Sequence, residues 1–324
     1  MRIGIDVGGT NLKAGLVDEE GNILTVCRTP VGRFTDGQDF AKVLAELALK
    51  AAAQGGVRPG KITGVGIGIP GAVREGQVLY TCNLPLRDVP LADWFRETLD
   101  VPVRLGNDAD CAAVGEALRG AGRGIRNFLL VTLGTGIGAG LILDGKLHTG
   151  CGMAGEVGHM VTHFGGRLCT CGRKGCWEQY ASATGLIRRT EEEMEAFPRS
   201  LLHTVARENG AVDGRTAFQA AERGDPAAVH LCREYAEELG CGLVNLINLL
   251  HPERVAIGGG GCRRAREPAA PAPAGDRDPG ELRPPRRSHP GGGAGPDGKR
   301  RRHRGRGPAG PRCERVRRGD HALV

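Results

Sequence analysis

A chain of 324 residues can bury a sizeable core and has room for two domains, and the lack of any run of about 18 consecutive apolar residues excludes a membrane-spanning helix. The formal charge of +7 is unevenly spread: residues 262–324 carry 17 Lys and Arg against 7 Asp and Glu, which leaves residues 1–261 mildly acidic with 27 against 30. The tail also lacks Phe, Trp and Tyr and is rich in proline, so it cannot build a core of its own.

The first residues, MRIGIDVGGT, run directly into a strand pattern without the apolar stretch and cleavage site of a signal peptide, so a cytoplasmic protein is expected. In that setting the 11 cysteines point to reduced thiols and a metal site rather than a disulfide framework. The alternation predicts a strand at IGIDV, a turn at GGTN, a second strand at LKAGLVD, a turn at DEEGN and a third strand at ILTVCRT. Residues 39–54 are apolar at helical spacing, and ITGVGIGIPG reads as a buried strand ending in a Gly-Pro-Gly turn. A helix from Leu91 to Leu99, a strand at VPVRLG and a helix from Asp108 to Leu118 opening on an Asn-Asp cap follow. NFLLVTLGTGIGAGLILDG then repeats the opening strand-turn-strand, and this internal echo predicts two related lobes. Helices dominate from Ala183 to about Leu250, and VAIGGG is a last strand entering a glycine turn.

His159, Cys169, Cys171 and Cys176 fall at H-x9-C-x-C-x4-C. One imidazole and three thiolates suit tetrahedral zinc and leave no open position for a hydrolytic water, so the ion would be structural; buried thiols or a disulfide are the bland reading. Glu156 and Glu178 bracket the run, so the metal would brace a loop that presents carboxylates. In DVGGTN and LGTGIGAG, small residues let backbone N–H groups point at a phosphate, although neither matches the Walker pattern and tight hairpin turns would explain both. A third glycine run spans Gly258 to Gly260. Asp108 opens a helix after a strand end, where α/β folds form clefts, and is the candidate base, with a plain N-cap as the alternative. Asp6 is either a strand-end cap or, beside a phosphate loop, a residue that holds magnesium through water.

With DVGGTN, IGIPGAV, GNDADCAAVGE, LGTGIGAG, GEVGH and CTCGRKGCWE in this order, residues 1–261 resemble the ROK family of repressors and sugar kinases, most closely its bacterial glucokinases. The resemblance implies an α/β actin-like ATPase (ribonuclease H-like) fold of two lobes with a zinc-braced loop. Residues 1–118 would form the first lobe and 119–261 the second. It implies ATP with Mg2+ and a structural Zn2+, glucose or a related hexose as substrate, and a homodimer. Asp108 would be the general base of glucose 6-phosphorylation. Gly71, Asn83, Asn107, Asp108, Glu156, His159 and Glu178 would contact the sugar. Asp6, Gly8, Gly9, Thr10, Lys13, Gly134, Thr135 and Gly136 would serve the phosphates, and Gly258, Gly259 and Gly260 the adenosine. Fructose, mannose or N-acetylmannosamine kinases, or a non-catalytic sugar-sensing regulator, are the other readings. A repressor would carry a DNA-binding segment ahead of the DxGGT motif, which here begins at Asp6, so nucleic acid is not an expected partner.

The resemblance stops after Gly261. Gly298 to Gly307 can be encoded so that a reading one base later gives Ala-Asn-Asp-Ala-Gly-Ile-Ala-Gly-Ala, which resembles the family's closing helix motif. Residues 262–324 are therefore expected to be a frameshifted, disordered basic tail, with a nucleic-acid-binding arm as the rival reading of Lys299 to Arg306. Such a tail would leave apolar surface exposed on the second lobe.

Overall fold

The computed structural model describes residues 1–81 and 84–259. The first sheet is built from β1 (Arg2–Val7), β2 (Asn11–Val17), β3 (Ile23–Pro30), β4 (Gly64–Ile69) and a later strand, Val103–Asn107. Its order is β3-β2-β1-β4 and then that later strand, with β1 antiparallel to β2 and parallel to β4. Alternation decides the facing: Ile3, Ile5 and Val7 of β1 and Leu12, Ala14 and Leu16 of β2 are buried, and their neighbours point outward. Helix α1 (Gly37–Gln54) covers them with Phe40, Leu44, Leu47 and Ala51, three and four residues apart. It starts where Asp36 accepts a hydrogen bond from the Asp39 N–H at 2.8 Å.

Between β4 and Val103 the chain forms a small antiparallel sheet, β5 (Gly71–Arg74), β6 (Gln77–Thr81) and β7 (Arg87–Val89), followed by α2 (Leu91–Thr98). Sequence alternation did not single out these three strands, because each is too short to show a period. The Glu75-Gly76 pair, with φ of 50° and 84°, turns β5 into β6 and was the available signal. Strand β8 (Val103–Asn107) then runs into α3 (Asp108–Arg119).

The second sheet repeats the first. β9 (Phe128–Leu133) and β10 (Ile137–Leu143) form the hairpin, β11 (Lys146–Leu147) adds an edge, and β12 (Arg254–Gly258) pairs in parallel with β9, in the order β11-β10-β9-β12. Each sheet thus has an antiparallel hairpin whose first strand is joined by a later parallel strand. Helix α3 packs on this second sheet, where Ala113 joins Phe128, Leu130 and Ile142. The approach is close enough that a Cβ at Gly140 would stand 2.2 Å from the Ala113 Cβ and 2.8 Å from the Ala109 carbonyl oxygen.

After the cysteine loop come α4 (Glu178–Ala181), α5 (Ala183–Ala196), α6 (Leu202–Asn209), α7 (Thr216–Glu222) and α8 (Pro226–Leu250). The last four meet through Leu186, Leu202, Val205, Ala217 and Leu231. Helix α8 opens on Asp225, which accepts from the Ala228 N–H at 2.8 Å, with Pro226 in its first turn. It also anchors the loop: Trp177 is fully buried, donates its indole N–H to the Glu238 carbonyl at 2.8 Å, and lies where a Cβ on Gly242 would be 2.0 Å from its ring. Val244, Ile247 and Leu249 on α8 and Ile257 on β12 are exposed, an apolar surface on the second sheet's side of the molecule. None of the described helices is long and apolar enough to cross a membrane.

Candidate active site

The parallel pairing of β4 with β8 brings Ile69 level with Asn107, and the chain turns there into α3. The helix is capped by Asn107, whose side-chain oxygen accepts from the Ala109 N–H at 2.9 Å and the Asp110 N–H at 3.2 Å. Its amide nitrogen donates to the Gly71 carbonyl at 3.1 Å, which ties β5 to the start of α3. Asp108 is therefore the first helical residue and not the cap, although its Oδ1 also accepts from the Ala109 N–H at 3.0 Å. Burial raises the Asp108 carboxyl above its ordinary range, the Ala109 N–H works against this, and the negative charge of Asp6 adds to the rise.

Asp6 lies one residue before the end of β1, and its Oδ2 accepts from Lys13 Nζ at 2.7 Å across the β1–β2 pair, where the two residues face each other in register. Gly8, Gly9 and Thr10 make the turn between these strands, closed by the Gly8 N–H on the Asn11 carbonyl at 3.0 Å. In the second sheet Gly134, Thr135 and Gly136 occupy the equivalent turn, closed by the Gly134 N–H on the Gly136 carbonyl at 3.0 Å. Gly258 and Gly259 lie alongside, since β12 pairs with β9 and a Cβ on Gly259 would stand 2.2 Å from the Leu133 carbonyl oxygen. Glu178 reaches the same turn: its Oε2 lies 2.6 Å from where a Cβ on Gly136 would be.

The cysteine loop joins the acids from the other side. A short 3-10 turn, Val157–His159, is held against β10 by the Ala139 N–H on the Gly155 carbonyl at 3.1 Å. His159 lies between two acids, with Nε2 3.9 Å from Glu156 Oε2 and Nδ1 3.7 Å from Glu178 Oε1. Burial raises the Glu156 carboxyl, His159 opposes this, and Asp108 and Glu178 reinforce it. The donor atoms of His159, Cys169, Cys171 and Cys176 all lie within 4.8 Å of one another. His159 Nδ1 to Cys169 Sγ and Cys171 Sγ to Cys176 Sγ are each 3.6 Å. A tetrahedral ion with bonds of about 2.3 Å spaces its ligands by roughly 3.8 Å, so this set fits such a metal. Three thiols this close affect one another's ionisation unequally. Burial, then hydrogen bonds to Cys171 and Cys169, push Cys176 up to about 12. Burial also raises Cys171, but hydrogen bonds from Arg173 and the neighbouring sulfurs outweigh it and bring the thiol to about 6.

The fold thus gathers Asp6, Asn107, Asp108, Glu156, His159 and Glu178 with both glycine turns, and Gly71 joins them through Asn107. Asn83, Gly260 and the tail lie outside the described residues. Asp110, which the sequence reading passed over, belongs to the same group. It is buried at 8% exposure, its Oδ1 has no hydrogen-bond partner among the described residues, and burial followed by the charges of Glu156 and Asp108 raises it to about 6. A second acid in the first turn of the candidate helix was the available signal.

A carboxylate cluster with two glycine turns suits a nucleotide and a polyhydroxylated substrate, and comparison with known proteins bears on which. The family model described as "ROK family" matches residues 2–265. A glucokinase of Streptomyces coelicolor is 39% identical over 267 residues, covering 80% of this chain and 82% of its own. A glucokinase of Halalkalibacterium halodurans is 37% identical over 262 residues, covering 80% of this chain and 79% of its own. Among solved structures, the ROK family glucokinase from Streptomyces griseus in complex with glucose and AMPPNP is similar at a TM-score of 0.69 and 37% identity, over 80% of this chain and 83% of that one.

Proposed function

The chain belongs to the ROK family as an ATP-dependent hexose kinase, and from that premise we propose that it transfers the γ-phosphoryl group of ATP to the 6-hydroxyl of glucose with Asp108 as general base. The observation that carries this reading is the division of labour at the start of α3. Asn107 satisfies the helix N-terminus, so the Asp108 carboxylate is left to work in the site, and burial raises its basicity toward the working pH. The choice of glucose is supported by the similarity to glucokinases.

In this mechanism Asp108 accepts the proton of the sugar hydroxyl as that oxygen forms its bond to the γ-phosphorus. The bond from phosphorus to the bridging oxygen breaks, and ADP departs with the electron pair. Phosphoryl transfer asks for positioning and charge neutralisation more than for covalent chemistry. The Gly8–Thr10 and Gly134–Gly136 turns offer backbone N–H groups to the phosphates, and Lys13, paired with Asp6, adds a positive charge at the first turn. Magnesium bound with ATP would offset phosphate charge, with Asp6 as the carboxylate at that turn. Glu156, His159 and Glu178 recognise sugar hydroxyls, each of which both donates and accepts. His159, Cys169, Cys171 and Cys176 would hold zinc, whose contribution is to fix the loop that presents Glu156 and Glu178.

The test is ADP release, measured by a coupled assay with glucose, fructose, mannose and N-acetylmannosamine. Turnover greatest with glucose is the expected result. Turnover greatest with another of these sugars would replace glucose as substrate, and none with any of them would overturn the reading.

A further inference from the structure

The second phosphate turn and the loop that presents carboxylates meet at one pair of residues, Gly136 and Glu178. Glu178 opens α4 with a partly buried side chain, and its Oε1 faces the cysteine cluster, 3.1 Å from Cys169 Sγ and 3.7 Å from His159 Nδ1. Its Oε2 lies against the turn. A Cβ built on Gly136 would stand 2.6 Å from Oε2 and 3.7 Å from Cδ of Glu178, and apart from its chain neighbours it would meet no other described atom within 4 Å. A carbon and a carboxylate oxygen at 2.6 Å are well inside van der Waals separation, so a side chain at position 136 and the carboxylate cannot share this place. Gly136 has no positive φ, so the backbone does not call for glycine there. What the missing Cβ provides is room for Glu178.

The turn itself is held firmly. The Gly134 N–H closes it on the Gly136 carbonyl at 3.0 Å, and the chain beyond α4 returns to it where the Ala183 N–H donates to the Gly134 carbonyl at 2.9 Å. We propose that Gly136 is a positioning residue for the sugar: the absence of a side chain there lets the Glu178 carboxylate rest on the phosphate turn, so a glycine of the nucleotide's loop sets the hold on the other substrate. The inference rests on the reading of Glu178 as a sugar contact. A methyl at this position opposes no backbone atom, only the end of a flexible side chain. It would turn the carboxylate aside and leave the N–H groups of the turn where they are, so the effect falls on the sugar and not on ATP.

The test is calorimetric titration of Gly136→Ala with glucose in the absence of nucleotide. The Kd for glucose is expected to rise about tenfold, the loss of one hydrogen bond to a charged group, while the KM for ATP at saturating glucose stays near that of the wild type. Because no nucleotide is present in the titration, a damaged phosphate loop cannot produce that result. Gly134→Ala is the matched control, since an added Cβ there meets no atom within 4 Å, and its Kd for glucose is expected to equal that of the wild type. An unchanged Kd in Gly136→Ala, or the same rise in Gly134→Ala, overturns the inference. Glu178→Ala supplies a second check. With the carboxylate gone the methyl has nothing to displace, so adding Gly136→Ala to Glu178→Ala should cause no further loss of kcat/KM for glucose and no earlier melting. A further loss, or early melting with and without the carboxylate, overturns the inference as well. Glu178→Ala also separates the two readings. Wild-type glucose binding in that variant removes the sugar contact and the inference together, whereas weakened binding beside an unmoved Gly136→Ala removes the inference alone.

Discussion

Glu192 on α5 and Asp110 on α3 are both helical carboxylates, yet they meet opposite surroundings. Glu192 receives both Arg167 guanidinium nitrogens at 2.6 and 2.7 Å and Arg189 at 3.3 Å, and hydrogen bonds from Arg167, acting against burial, hold it down to about 2. Asp110 has no such partner for its Oδ1 among the described residues, and burial, followed by the charges of Glu156 and Asp108, pushes it up to about 6. Asp108 and Glu156 are raised as well. Where charge serves the fold, arginine compensates it; where charge is left uncompensated, the chain keeps groups whose protons can move. The pockets of the molecule do not make this distinction. A cavity of about 500 Å³ lies beside the arginine network, lined by His163, Arg167, Tyr180, Arg189, Glu234 and Glu238, where His163 pairs with Glu238 and Arg189 with Glu234 while Arg167 reaches Glu192.

The comparison breaks most directly at Asp108. Replacing it by Asn should lower kcat by about 10²- to 10⁴-fold, with glucose binding retained in calorimetry, because the amide keeps a hydrogen-bonding group but cannot take the proton. A variant that turned over at the wild-type rate would place Asp108 in the same structural class as Glu192. Next in size is the metal. Stripping it with a chelator, followed by a colorimetric count of released ion, should raise the KM for glucose by about 10- to 100-fold, since Glu156 and Glu178 lose their fixed positions. Cys176→Ser should do the same. Protein that carries no metal and binds glucose normally would show that the His159 and cysteine cluster is four reduced side chains and nothing more.

Much of this was legible beforehand, for reasons that can be named. The two hairpins showed because β-alternation and a glycine turn recur at Ile3–Val17 and Phe128–Leu143, and the cysteine loop showed because tight ligand spacing is a local property. The choice of Asn107 over Asp108 as cap was not legible, because either residue can cap a helix and only the backbone at Asn107, with φ −61° and ψ 144°, decides between them. Asp110 stayed hidden for another reason. Its significance comes from β10 and the Glu156 loop, about 30 and 45 residues further along the chain, and no local pattern reports what a side chain will face. The same holds for Gly242, an unremarked helical residue until Trp177 is seen to fill its place.

The smallest expected effect sharpens the contrast from the structural side. Arg189 bonds Glu234 at 2.6 Å and Glu193 at 3.1 Å, and Glu193 is buried with its Oε2 unpaired among the described residues. Arg189→Met should cost about 1–3 kcal/mol at pH 7, less than a fully buried pair because the guanidinium is partly exposed, and should leave kcat unchanged. The pH dependence is the sharper readout. Glu192 is held below its ordinary 4.5, so its pairing stabilises the fold above that value and the benefit is lost as pH falls toward about 2. Arg189 supplies the smaller share of that hold, after Arg167, so the deficit of Arg189→Met should shrink modestly on acidification. Asp110 is raised instead, so the fold loses stability as that proton leaves, and the advantage of Asp110→Asn should grow as pH rises through 3.8 to about 6. Denaturant melts of both variants between pH 3 and pH 8 compare these slopes directly. Parallel curves would mean that the two carboxylates do not differ in the way their partners imply.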